Sequence, residues 1–136
     1  MTKTVFSLEQ RQAYFKSLRD EWKANKEKAE NDTEARARFE AMLNETGGQF
    51  SYYSYYFTLL DMRALGLAGS PYIDTKTFNK WREAGFKVKK GEKSKIRGIV
   101  WMHPITKKEN GESVEDDSFL YPKVYHLFHS SQVEAL

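Results

Sequence analysis

The chain has 136 residues, 40% of them hydrophobic and 15% aromatic, and no cysteine. That excludes a disulfide framework and a thiolate metal site, and it fits one domain with a real core in a reducing compartment such as the cytoplasm. No apolar run reaches the length of a membrane span, the opening MTKTVFSLEQ lacks the apolar stretch of a secretory leader, and no membrane partner is expected.

The net charge of +3 is unevenly spread: residues 1–46 carry nine basic and nine acidic side chains, 47–108 twelve and four, 109–136 one and six. Charge gathered in the middle of a chain points to a polyanionic partner for that part.

Ser7-Leu8-Glu9-Gln10 has the form of a capping box, and Leu8, Phe15, Leu18 and Trp22 recur at helical spacing, which predicts a helix over 8–30. Asn31-Asp32-Thr33 breaks it and caps a second helix over 34–44, with Phe39, Met42 and Leu43 on its apolar side. Both helices are dense in mixed charges. The plain reading is a helical pair with a solvated outer face; the alternative is a surface for a protein partner or self-association through residues 8–44.

Gly47-Gly48 divides the chain into a helical extension, 1–46, and a domain, 47–136, within one compact unit. Composition and the closing Gly66 favour a helix over 52–65. Five of the six residues from Tyr52 to Phe57 are aromatic, more than one buried stripe holds, so part of this set is expected at the surface. A tyrosine face is a stacking platform for bases, although any one tyrosine reads more readily as core with its hydroxyl in water.

A loop over 66–72 leads to a short helix over 76–84, capped by Asp74 or Thr75 and stopped by Gly85, with Phe78 and Trp81 on one buried face. Phe86 to Lys90 alternates apolar and basic, as in an edge strand, and enters the turn Lys90-Gly91-Glu92-Lys93. Residues 96–102 form the clearest strand. A polar loop over 107–118, with Asn110-Gly111 as turn signal, separates it from a second strand over 119–128, with Pro122 at an edge or bulge. The expected fold is α+β: an N-terminal helical pair, an aromatic helix and a short helix packed on a small antiparallel sheet.

Catalytic signals are weak. His126 and His129 fall on opposite faces of a strand, no HExxH or phosphate-cradling glycine loop is present, and Glu115-Asp116-Asp117 reads as a solvated loop. No enzyme, cofactor or metal is expected. The binding signal lies in Thr75 to Trp101, with nine basic residues against Glu83 and Glu92. Lysines on flexible stems follow a phosphate backbone without reading sequence, and neighbouring aromatics supply stacking of roughly 1–3 kcal/mol per base.

Tyr53-Ser54 with Tyr55 to Leu60, then Thr77-Phe78-Asn79-Lys80-Trp81, Gly85, Val88 and Lys89-Lys90-Gly91-Glu92-Lys93, resemble the N-terminal domain of ArdC-type antirestriction proteins. Ile99-Val100-Trp101 and the stretch from Val124 to Gln132 are similar to its later strands and closing glutamine. The resemblance implies a single-stranded DNA-binding domain of plasmid, phage or other mobile-element proteins. The family's zinc peptidase-like domain has no counterpart in this sequence, so its activity is not carried over. Tyr55 and Tyr56 stand where the family commonly has Asn, and the acidic insertion at 109–118 is a second departure; as an acidic arm it would compete with DNA for the basic groove.

The reading is non-catalytic, largely sequence-independent binding of single-stranded DNA, with RNA left open as a ligand and a protein-interaction or inhibitor module as the alternative. Lys80, Lys87, Lys89, Lys90, Lys93, Lys95 and Arg97 are expected on phosphates. Tyr52, Tyr55, Tyr56 and Trp101 are expected to stack on bases, and Trp81, Gly85 and Gly91 to form the framework.

Overall fold

The computed structural model describes residues 7–102, 105–107, 113–115 and 120–136. The architecture is α+β, as the sequence predicts. The helices are α1 (Leu8–Asn31), α2 (Thr33–Thr46), α3 (Tyr52–Ala64) and α4 (Phe78–Glu83). The strands are β1 (Thr75–Lys76), β2 (Phe86–Val88), β3 (Ile96–Met102), β4 (Ile105–Lys107), β5 (Ser113–Glu115), β6 (Tyr121–His129) and β7 (Val133–Ala135).

Local chemistry sets the helix ends. The Ser7 backbone N–H donates to the Gln10 side chain at 2.7 Å and the Gln10 N–H to Ser7 Oγ at 3.2 Å, completing the capping box. Asp32 both ends α1 and caps α2, accepting the Ala35 N–H at 3.0 Å. Gly47 closes α2 at φ 66°, in the left-handed region a side chain would disfavour.

Helix α3 is the centre of the molecule. Against it lie Ala29 of α1 and Ala35, Phe39 and Met42 of α2, in one cluster with Tyr52, Tyr55, Tyr56 and Leu59. Further along, Met62 packs with Ile96 and Leu127 of the sheet, and the Thr58 hydroxyl donates to the Arg97 carbonyl at 3.0 Å. Each large side chain so buried contributes roughly 1.5–3 kcal/mol. The cluster draws on both sides of Gly47-Gly48, so the N-terminal helical extension shares its core with the rest of the chain.

Antiparallel pairing gives three sheets: β1-β6-β3, β2-β7 and β4-β5. Strands β3 and β6 are in register from Ile96↔Leu127 to Met102↔Tyr121. Pro122 pairs with Trp101, while β1 reaches β6 only at Phe128 and His129, so Pro122 has a strand neighbour on one side among the described residues. That is where a residue without an N–H is tolerated.

The structure departs from the sequence reading in several elements. Strands β1 and β7 are too short to carry a pattern; they exist because β6 and β2 offer unpaired edges. Taking Thr75 and Lys76 into β1 delays α4, whose cap is Thr77, accepting the Lys80 N–H at 3.2 Å. Phe78 is exposed rather than buried, because the six-residue α4 turns only Trp81 inward. The polar stretch 107–118 contains β5, which pairs Ser113 with Lys107. Its Asn110-Gly111 turn, most of the acidic arm and His103 lie outside the described residues.

Candidate nucleic-acid interface

The lysine-rich turn between β2 and β3 is held rigidly at its base. Buried Gln132 donates through Nε2 to the Lys93 carbonyl at 2.8 Å and to the Glu92 carboxylate at 3.1 Å, while its Oε1 accepts the His129 N–H at 2.9 Å. Its own carbonyl accepts the Lys89 N–H at 2.9 Å. Gly91 turns the chain at φ 86°. His129 is fixed in turn, with Nε2 2.7 Å from the Ala68 carbonyl and Nδ1 2.8 Å from Ser131 Oγ, which is a structural role.

On this frame Lys90, Lys93 and Lys95 are exposed and form no ion pair among the described residues. Lys89 is exposed and donates to the Ser131 carbonyl at 3.2 Å. Lys87 lies 3.7 Å from Glu134 across the β2–β7 pair, and Lys80 3.2 Å from Glu83 on α4. Both pairs are well solvated, and such pairs are worth little and exchange readily. Trp81 is buried and donates from Nε1 to the Phe128 carbonyl at 2.9 Å, and Gly85 follows α4 at φ 91°.

Arg97 is a correction. Its guanidinium grips Glu21 at 2.7 and 3.2 Å and Asp61 at 2.9 and 3.0 Å, tying β3 to α1 and α3. Period-2 alternation turns it toward the helices, where two carboxylates already neutralise it, so it is not presented to a phosphate.

The stacking tyrosines are a second correction. Tyr52 is 7%, Tyr55 0% and Tyr56 4% exposed, so none presents a ring face to a base. Helices α1 and α2 cover one side of α3 and the sheet the other, which makes room for more aromatics than a single buried stripe. The Tyr52 hydroxyl donates to the Ala29 carbonyl at 2.6 Å and the Tyr56 hydroxyl to Asp32 at 3.1 Å, satisfying groups at the α1–α2 joint. Trp101 is half-buried beneath α1, edge-on to Trp22 at 5.5 Å, with its Nε1 buried and without a partner among the described residues.

The exposed aromatic surface lies elsewhere. Phe50, Phe78 and Phe86 are all exposed. Phe50 stacks on Tyr72 with centroids 4.3 Å apart and planes 10° from parallel. Together they border a groove of about 480 Å³, lined also by Lys76, Lys80, Val100 and Tyr125. Tyr125 lies flat across Gly98, where an added Cβ would come within 2.2 Å of the ring, so only glycine admits it. Burial pushes the Tyr72 and Tyr125 phenols above their usual range, so both stay neutral. Tyr72 has φ 68°, rare for a bulky side chain, and its N–H donates to Thr75 Oγ1 at 3.2 Å.

Sequence reasoning missed Phe50, Tyr72, Lys76, Tyr125 and Gln132. Gln132 enters the sequence only as the closing glutamine of the resemblance and Lys76 only as one of nine basic residues, and no spacing assigns either a role.

A larger cleft of about 820 Å³ at the α1–α2 joint is bordered by Glu27, Asp32 and Glu34 against Lys28, so it is net acidic and a poor match for a polyanion. No group of three or more His, Cys, Asp or Glu able to hold a metal occurs among the described residues. No described helix is long and apolar enough to cross a membrane. The chain matches no protein-family model, no curated protein and no solved structure.

Proposed function

We propose that this protein binds single-stranded DNA without catalysis and with little sequence preference, in the manner of the ArdC-type N-terminal domain its motifs resemble, as a protein of a mobile element. The observation that carries the reading is the lysine turn. Lys90, Lys93 and Lys95 stand exposed and outside ion pairs among the described residues, on a backbone pinned by Gln132. The hydrogen bonds of Gln132 hold the turn in place before any ligand arrives. A polyanion gains because fewer degrees of freedom are lost when the phosphates dock. Lys89 and the solvated Lys87 and Lys80 extend the same positive surface.

Lysine ammoniums contact phosphates as point charges and do not discriminate bases. Each phosphate neutralised on a single strand steepens the fall of log affinity with log salt by about 0.7. Fluorescence anisotropy with labelled single-stranded DNA, single-stranded RNA and duplex DNA at two salt concentrations tests the reading. The expected result is binding to the single strands with a steep salt response. The triple variant Lys90→Ala, Lys93→Ala, Lys95→Ala should lower the slope by about 2. A flat response, or a slope unmoved by the triple variant, overturns the assignment of the lysines.

A further inference from the structure

We infer that the groove walled by Phe50, Tyr72 and Tyr125 is a base-binding slot for one nucleotide of the bound strand, with Phe50 as the stacking ring and Lys76 and Lys80 facing the adjoining phosphates. This rests on the single-strand reading above and deepens it by naming where a base, as opposed to a phosphate, is held.

Its chemistry is mixed in the way a nucleotide requires. Ile99, Val100 and Leu127 supply apolar lining, and Phe50 and Tyr72 supply a flat aromatic wall already in parallel-stacked geometry. Among the described residues, Lys76 and Lys80 are the charged ones lining the groove, and no carboxylate lines it. A purely apolar guest such as a peptide side chain has no use for two cations, whereas a phosphodiester does. The α1–α2 cleft, bordered by three carboxylates and one lysine, has a net acidic lining instead. A volume of about 480 Å³ lies within the range of small-ligand sites.

The cations are placed differently. Lys76 Nζ lies 4.4 Å from the centre of the Trp81 ring and donates to the Ile73 carbonyl at 2.7 Å, so its position is fixed. Among the described residues Lys80 is bound only to solvated Glu83. Phe50 precedes the Ser51 cap of α3 and follows Gly47-Gly48, so its wall is anchored at one end and adjustable at the other. The positive φ of Tyr72 is the kind of local strain that a fold maintains at a ligand clamp. Gln49, Ser51 and Ser54 line the groove and suit hydrogen bonding to base edges. Stacking on Phe50 is open to any base, in keeping with weak sequence preference.

The test separates base from phosphate. Anisotropy titrations use a labelled oligothymidine of about ten nucleotides and a strand of the same length built from abasic tetrahydrofuran residues. The wild-type protein should bind oligothymidine roughly 5- to 150-fold more tightly than the abasic strand, the span expected from stacking one base. Phe50→Ala should lose most of that advantage and bind the abasic strand as the wild type does, with an unchanged salt slope. Phe50→Trp should restore the preference. Phe50 is exposed, so these variants should keep the wild-type circular dichroism spectrum. Equal wild-type affinity for the two strands, or a Phe50→Ala loss that also appears on the abasic strand, overturns the slot and leaves the lysine reading standing. Absence of binding to either strand at low salt overturns both.

Discussion

Arg97 offers the sharpest test of how the structure revises the sequence reading. Arg97→Met keeps the aliphatic stem and removes the guanidinium that holds Glu21 and Asp61. Four side-chain hydrogen bonds of 2.7 to 3.2 Å disappear, together with the contact of the guanidinium on the Phe57 ring at 4.7 Å. A charge-assisted hydrogen bond is worth about 1.5–3 kcal/mol net, and breaking a fully buried pair costs about 3–5 kcal/mol. Arg97 and Glu21 are 37% and 34% exposed, so solvent relieves much of that. Asp61 is 16% exposed but retains the Arg97 backbone N–H at 2.8 Å, which the substitution leaves in place. The expected loss is therefore about 2 kcal/mol. For a chain of this size that lowers the Tm by roughly 7 °C. Urea and thermal unfolding followed by circular dichroism measure it, and DNA anisotropy is run on the same samples below the transition. The expected outcome is a lower Tm with DNA affinity and salt slope unchanged. An unchanged Tm with a slope reduced by about 0.7 would show that Arg97 touches phosphate and that the clamp is incidental.

Three further predictions concern the frame. Gly98→Ala forces a methyl into the Tyr125 ring and should cost about 1–3 kcal/mol in chemical denaturation, while weakening oligothymidine binding more than abasic-strand binding because the groove floor moves. Asp32→Asn keeps the cap but removes the charge. The Arg63 hydrogen bond, then the Ala35 N–H, hold the Asp32 carboxyl below its ordinary value of 3.8, so its contribution is complete above that value and lost as pH falls through the lower folded one. The variant should be less stable near neutrality and converge on the wild type in acid, once the pH has fallen below the lowered folded value; a constant difference across the acid limb would contradict the assignment. A fragment of residues 47–136 loses Ala29, Ala35, Phe39 and Met42 from the cluster around α3 and should show no cooperative unfolding transition, whereas a sharp transition would mean that 1–46 is a dispensable extension.

Much of the fold is legible from residue types alone. The capping box at Ser7, the Asp32 break and the Gly85 stop follow from local rules whose signals lie within a few residues of one another, and β3 and β6 are each legible as strands from their own composition. The tyrosine helix was legible as a helix, and each tyrosine singly as core, but not the burial of Tyr52, Tyr55 and Tyr56 together. Whether Tyr52, Tyr55 and Tyr56 face water depends on how many neighbours α3 has, and a periodicity argument assumes one buried side. Arg97 was legible as a cation but not as a clamp, because Glu21 and Asp61 are distant in the chain and meet it only when α1 and α3 cross β3. The groove left almost no trace: Phe50, Tyr72, Lys76 and Tyr125 come from a loop, a turn and two strands, with no spacing to reveal them.

The sequence by itself determined that a lysine-rich turn exists, where α1, α2 and α3 lie to within a residue or two, and that charge is concentrated in the middle of the chain. These properties are local, fixed by backbone propensity, capping and covalent order. The tertiary structure alone decided which charges remain outside ion pairs among the described residues and which aromatics face outward. Burial and ion pairing are properties of pairs of distant residues. The same arginine or tyrosine becomes interface or framework according to what the fold packs against it.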